Sequence, residues 1–466
     1  MAKWRTLLGA VTVAALVAAV PVMAATPPQV RAGKLSGGIH LDGVLDEAAW
    51  SSAGTIPNLT QQDPHPGQPT PYTTEVRFLV DAKALYVGVR CIDPHPREIA
   101  IHTMQRDGNM AGDDTVSLVF DTFGDGRTGF FFRINAAATR QDGLISGPED
   151  LSLDWDGIWY ARTHRNAQGW TAEIIIPAQT LRFTPGKDAW GLNVERYIPR
   201  DRTTLRWASP VLDARLIDLR RAGKLLGMEN LRQGKGLSVS PYGLVRSKSN
   251  LETNHSTVQG DAGLDVTYNF TPDLTGVLSL NTDFAETEVD TRQINLTRFP
   301  LFFPEKRAFF VEGSNLFQFG TGLGYDFIPF FSRRIGLYEG RQVPMLGGAK
   351  LLGRSGKWGI GVLDAVTGRS SETEQANLFA GRVTYDVDRH LTVGTIVTDG
   401  DPDGVHDNTL VGVDALWRTS TFRGSKNFSV GGWAATTGGD VPDGQKYGWG
   451  FKVDYPNDLW DLFLTV

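Results

Sequence analysis

The chain holds a single cysteine, Cys91, in 466 residues. One thiol cannot form an internal disulfide, so no disulfide framework supports the fold. In "LYVGVRCID", Val87, Val89 and Cys91 fall on one strand face, which reads as a buried, inert thiol. Charge is also sparse: 21% of residues are charged and the formal net charge is −6. A nucleic-acid partner wants a basic face, which this balance does not supply. The eight histidines are scattered, and none pairs with another at metal-ligand spacing. There is no H-E-x-x-H, no G-x-S-x-G elbow, no Walker loop and no G-x-G-x-x-G opening a helix. No catalytic residue is nominated, and the chain does not read as an enzyme. Beyond residue 24 there is no run of about 18 or more uncharged apolar residues, which excludes a spanning helix. A membrane role then requires a β-barrel.

What the chain has in quantity is Gly (53), Phe (24) and Trp (12). This mixture favours strands and tight turns with large aromatic side chains. The opening "MAKWRTLLGAVTVAALVAAVPVMAATPP" reads as a secretory signal over residues 1–24. Lys3 and Arg5 form its basic end, Leu7 to Val20 its apolar core, and Val22-Met23-Ala24 its cleavage site. An uncleaved anchor is the alternative reading. Cleavage leaves 44 basic against 52 acidic side chains, a formal charge of −8.

Two rhythms follow. Residues 30–228 read as a compact β-sandwich, with strand candidates such as "TTEVRFLVD", "ALYVGVRCID", "DTVSLVFDTF", "GFFFRINAA", "GIWYARTH", "GWTAEIIIP" and "AWGLNVERYI". "PAQTLRF" reads as one helical turn begun by Pro177, and "NLRQGK" as a hinge. From residue 236 to 466 long strands alternate regularly. In "YGWGFKVDY", Tyr447, Trp449, Phe451, Val453 and Tyr455 oppose Gly448, Gly450, Lys452 and Asp454. A soluble sandwich would also alternate. Strands of about 9–11 residues, links that are short and long in turn, and Tyr and Trp near strand ends favour an antiparallel transmembrane β-barrel. About eleven strands follow Lys235, whereas bacterial barrels close with an even number. The chain stops within "DLWDLFLTV", so the barrel is read as incomplete at its C-terminus.

Carboxylates cluster in two loops. Asp113, Asp114, Asp121 and Asp125 are calcium candidates, because hard oxygen ligands on loops suit that ion. Turn capping by the same residues is the competing reading. Trp155, Trp159, Trp170 and Trp190 are candidates to stack on a sugar, with core packing the competing reading for Trp159 and Trp170, and Trp155, flanked by Asp154 and Asp156, reads as the exposed one.

"IHLDGVLDEAAW" (Ile39–Trp50), "DDTVSLVFDTFGDGRTGFFFRINAAATRQDGL" and "GWTAEIIIPAQTLRF" resemble the family-nine-like carbohydrate-binding module. "LNTDFAETEVDTRQINLTRFPLFFPEKRAFFVEG" and "SRRIG" (Ser332–Gly336) resemble the uncharacterised barrel domain often fused to it in Gram-negative envelope proteins. Sugar-binding members of the module clamp the ligand between two tryptophans. Here Ala111 stands at one of those places, and "DARLIDLRRAGK" at the other has no Trp. The polar partners on "FRIN" are kept as Arg133 and Asn135.

The expectation is thus an outer-membrane protein whose partners are membrane lipid and carbohydrate, with a role in glycan or solute handling. A secreted soluble glycan-binding protein and an accessory part of a glycoside hydrolase are the alternatives. "FPLFFPEKRAFFVEG" (residues 299–313) is expected to fold into the barrel lumen, the alternative being an interfacial loop with its aromatics at headgroup level. Its phenylalanines would pack on the wall or the sandwich, and Glu305, Lys306, Arg307 and Glu312 would pair within the pore.

Overall fold

A computed structural model describes residues 26–148, 150–233, 236–250, 255–271, 274–281, 305–320, 327–338, 341–424, 426–440, 446–457 and 460–465. The signal expected over residues 1–24 and the "FPLFFP" part of the aromatic stretch lie outside the described residues.

The first half is two packed sheets. Its strands are β1 (Gln29–Arg31), β2 (Gly33–Lys34), β3 (Gly54–Ile56), β4 (Thr60–Asp63), β5 (Thr74–Val80), β6 (Ala84–Ile92), β7 (Thr115–Asp121) and β8 (Gly129–Asn135). They continue with β9 (Arg140–Ile145), β10 (Leu151–Ser152), β11 (Tyr160–Asn166), β12 (Gly169–Pro177), β13 (Ala189–Ile198), β14 (Thr203–Arg206) and β15 (Gly223–Leu226). One sheet runs β1-β15-β13-β7-β8-β9-β10, with β14 pairing β13 and β4; the other runs β11-β12-β6-β5-β2, with β3 on β5. Alternate residues point inward, so Val76, Phe78, Val87, Val89, Leu118, Phe120, Phe132, Trp170, Trp190 and Leu192 form one core. Cys91 belongs to it, and burial pushes its thiol up to about 12. Each expected sandwich strand forms, though "GIWYARTH" enters the ladder only at Tyr160. Ala178–Thr180 make one 3-10 turn, as expected of "PAQTLRF", with Pro177 just before it. The hinge expected at residues 230–235 is tied down at its start. Leu231 is buried in the sandwich core, and the Arg232 N–H donates to the Ala82 carbonyl.

The second half is an antiparallel sheet. Its strands are β16 (Leu237–Asn250), β17 (His255–Thr271), β18 (Leu274–Leu280), β21 (Met345–Ser355), β22 (Trp358–Thr367), β23 (Asn377–Asp386), β24 (Leu391–Asp399), β25 (Asn408–Phe422), β26 (Lys426–Gly439), β27 (Tyr447–Pro456) and β28 (Asp461–Thr465). A separate ribbon joins β19 (Leu337–Tyr338) to β20 (Arg341–Gln342). Among the described residues these eleven strands pair in sequence order, with β19 and β20 set apart. Among the described residues β16 and β28 remain edges, so the sheet is not closed into a barrel.

The register separates two faces. One carries Tyr268, Phe270, Leu278, Leu280, Trp358, Val393, Val411, Val413, Tyr447, Trp449, Phe451, Leu462 and Leu464, all exposed. The other carries small and polar residues, including Gly361, Gly412, Gly450, Arg382, Asp414, Lys350 and Arg418. A short helix, α1 (Ala308–Val311), and the 3-10 turn Ser314–Phe317 lie on this small-residue face. Phe309, Phe310 and Phe317 pack there against Val277, Met345, Leu352 and Leu363. Glycine makes the close approach possible: a Cβ on Gly361 would stand 3.2 Å from the Phe317 ring, and one on Gly412 2.8 Å from Phe319.

Phe132 lies in the sandwich core edge-on to Trp159, centroids 5.3 Å apart, and to Trp155, 6.2 Å apart. Phe132→Ala is expected to cost about 3–5 kcal/mol. Urea titration followed by tryptophan fluorescence checks this; an unchanged midpoint contradicts the packing described.

Candidate functional site

The outward face of the larger sandwich sheet carries a polar row. Register aligns Gln141 (β9), Arg133 (β8), Ser117 (β7), Glu195 (β13), Arg206 (β14) and Thr60 (β4) across six strands. Further along the same face the residues turn apolar. Val119, Phe131 and Ile145 are covered there by Leu216 and Leu219. The covering loop is fastened by the Gln62 amide, which donates to the Val211 and Ala214 carbonyls at 3.1 and 2.8 Å. On the other side Gln141 donates to the Gly108 carbonyl at 3.3 Å, anchoring a second loop.

Among the described residues, Arg133 is the guanidinium of the row that has no carboxylate hydrogen-bonded to it. Its Nε donates to Ser117 Oγ at 2.8 Å, its Nη1 reaches Gln141 Oε1 at 3.4 Å, and its guanidinium lies over the Phe131 ring. Burial pushes this guanidinium below its usual value, and the Glu195 charge opposes the shift. Glu195 itself is paired with Arg206. A half-buried guanidinium without a carboxylate hydrogen-bonded to it retains donor capacity for a ligand. Most of the row is covered: Gln141, Ser117 and Arg206 are 5%, 1% and 3% exposed, and Arg206 is held by Glu195 and the Ala214 carbonyl.

The other sequence-nominated residues serve the fold. Asn135 is fully buried: its amide nitrogen donates to Thr103 O and Asp113 Oδ2, and its oxygen accepts from the Ala137 and Thr139 N–H groups. Trp159 is 1% exposed. Trp155, read as exposed, is only 7% exposed. It fills the end of the core beside Phe130 and Phe132, and its indole N–H donates to Glu312 at 3.1 Å. Neither tryptophan presents a face for a sugar. Ala111 is exposed and supplies only a methyl group.

The four calcium candidates are occupied by protein donors. Asp113 accepts from the His102 and Thr103 N–H groups, and Asp114 pairs with buried Arg196 and accepts from Trp170. Asp121 caps the Gly124 and Gly126 N–H groups, and Asp125 those of Arg127 and Thr128. These roles are those of turn capping and ion pairing. Among the described residues the one carboxylate group with metal-like spacing is instead Asp107, Asp142 and Asp156. Arg106 already stands among them, 2.7 Å from Asp142 and 2.9 Å from Asp156. Burial lifts the Asp142 carboxyl to about 6, against the Gly157 N–H and Arg106.

The segment expected in the lumen keeps part of its charge at home. Arg307, 2% exposed, makes a two-pronged bond to Glu305 at 2.8 and 2.7 Å. It also donates to the Ser332 and Ile335 carbonyls, while Ser332 Oγ donates to Glu305. Glu312 differs from the expectation. It pairs with Arg182 and Trp155 of the sandwich, because the segment lies between the two halves.

The row was missed because its members are scattered through 147 positions of sequence and meet only through register. Only Arg133 carried a signal, through the family resemblance.

Residues 235–387 match a family described as a domain of unknown function (DUF5916). No curated protein matches the chain. Among solved structures the chain is similar to a family 9 carbohydrate-binding module from Caldicellulosiruptor kristjanssonii in complex with cellotriose, at 15% identity and TM-score 0.32, covering 43% of this chain and 93% of that one. The glucose complex of a module from the same organism is similar at 16% identity and TM-score 0.31, covering 43% and 95%. A Bacteroides uniformis protein assigned to carbohydrate binding by inference is similar at 11% identity and TM-score 0.37, covering 43% and 99%.

The folded value of Asp142 lies above its ordinary 3.8, so the folded state keeps that proton up to about pH 6. Its contribution therefore favours the fold below about pH 4 and is lost as pH rises to about 6. Relative to Asp142→Asn, wild-type stability is expected to fall across that window in thermal melts. A parallel pH dependence in both proteins would contradict the assignment.

Proposed function

We propose that the protein is an outer-membrane β-barrel protein whose sandwich binds a glycan at the cell envelope. The observation that carries this reading is the one-sided surface of the long sheet. Its exposed apolar side chains gather on one face across strands from β17 to β28, while small and polar residues take the other. Water gives no reason to expose such a face, and lipid does. Exposed Tyr447 and Trp358 near strand starts suit an interfacial girdle.

The sandwich docks at the end of the sheet that carries the short links. Asp125 pairs with Arg354 at 2.8 Å beside the turn at Gly356, Arg127 pairs with Asp386, and Asp213 pairs with Lys426. Short links lie on the periplasmic side of such barrels, so the sandwich belongs in the periplasm. Glycan binding is assigned to the row centred on Arg133.

Three outcomes test this. The full-length protein is expected in the outer-membrane fraction, with different gel migration before and after boiling. Release as a soluble monomer without detergent would instead favour a secreted glycan-binding protein. External protease on intact cells is expected to spare the sandwich. Arg133→Ala is expected to lower glycan-array signals about tenfold or more without shifting the melting temperature much, and a blank array for the wild type would remove the glycan assignment.

A further inference from the structure

Between the sandwich and the small-residue face of the sheet lies a cavity of about 300 Å³. The sandwich contributes Gly147, Pro148 and Asp150 and its 212–220 loop, and the sheet contributes the ends of β25, β26 and β27. That volume is at the lower end for small-molecule sites. The Arg133 row does not line it.

Arg418 reaches this cavity from β25 and is 8% exposed. Its neighbours Arg220 and Arg127 are also cationic. The acids around it are committed: Asp218 to Arg220, Arg221 and Ser420, Asp213 to Lys426, and Asp454 to Lys452. Asp150 accepts from Gln318. The Arg418 guanidinium has neither a hydrogen bond nor an ion pair among the described residues. A buried cation left in this state is costly. A ligand anion would offset that cost.

We propose that this cavity binds a small hydroxylated carboxylate, the chemistry of an acidic sugar. One free guanidinium offers two parallel N–H groups, which fit the two oxygens of a carboxylate. The four aspartates of the lining disfavour a dianion such as phosphate. Ser429 stands opposite Arg418 in the ladder and offers a hydroxyl to the ligand, while Leu416, Phe428 and Pro456 form an apolar wall. The cavity opens at the end with the short links, where the sandwich docks.

Calorimetric titration of the full-length protein in detergent tests the site, using glucuronate, glucose and inorganic phosphate as probes. Glucuronate is expected to bind more tightly than either of the others. Arg418→Gln is expected to weaken it about tenfold or more, with Arg418→Lys intermediate. Leu212→Trp, at an exposed residue of the rim, narrows the cavity without touching Arg418 and is expected to weaken glucuronate too. Equal affinity for glucose, tighter binding of phosphate, or wild-type affinity in both Arg418→Gln and Leu212→Trp would overturn the proposal. Loss of glucuronate binding in Arg133→Ala with Arg418→Gln unaffected would assign the acid to the sandwich row instead, and would also overturn it.

Discussion

The bond between Arg307 and Glu305 holds together the part of the molecule on which both halves lean. Both prongs are short, and Arg307 is buried. Arg307 also donates to Ser332 O and Ile335 O, so "EKRAFF" and "SRRIG" are fastened to each other. Filling its donors this way offsets the cost of burying the guanidinium. With the pair in place, Phe309, Phe310 and Phe317 are held against the sheet, and the Arg307 guanidinium itself stacks over Phe310 at 4.1 Å. Residues 305–310 of the first recognisable stretch and Ser332–Ile335 of the second are therefore two sides of one contact.

From that anchor the segment reaches both ways. Val311 joins the sandwich core, and Glu312 accepts from Trp155 and Arg182. The Lys350 ammonium donates to the Glu312 carbonyl at 2.6 Å from the sheet side. A second set of ion pairs, Asp125–Arg354, Arg127–Asp386 and Asp213–Lys426, ties sandwich loops to strand ends. The sandwich and the sheet thus share polar contacts that neither would satisfy alone. The Arg418 cavity lies within this junction, where the packing of loop against strand is incomplete.

The sheet's one-sided surface was legible in the sequence because a strand's side chains alternate with period two. Tyr447, Trp449 and Phe451 against Gly448, Gly450 and Lys452 follow from counting alone. The seven long sandwich strands β5 to β8 and β11 to β13 are legible for the same reason, whereas the short β4 and β14 and the strand "RQDGLI" (β9) are not. Its polar start, Arg140-Gln141-Asp142, hides a strand whose outward residue Gln141 belongs to the candidate site. Trp155 sits between two aspartates in sequence, yet the fold turns its ring inward and gives its N–H to a residue 157 positions away. Asp113, Asp114, Asp121 and Asp125 look like loop ligands, but backbone N–H groups and Arg196 use them first.

Composition and period alone determined an all-β chain, the place where its rhythm changes, and which residues of each strand share a face. These are local properties, set by backbone geometry and by the turns between strands. Tertiary structure decided the rest. Strand register brought Arg133, Ser117 and Glu195 into one row, since pairing across a sheet ignores distance along the chain. Docking of the two halves decided that Glu312 serves the sandwich and that Arg418 faces a cavity. Whether a charge is satisfied depends on which groups packing brings within hydrogen-bond reach, and no linear pattern encodes that.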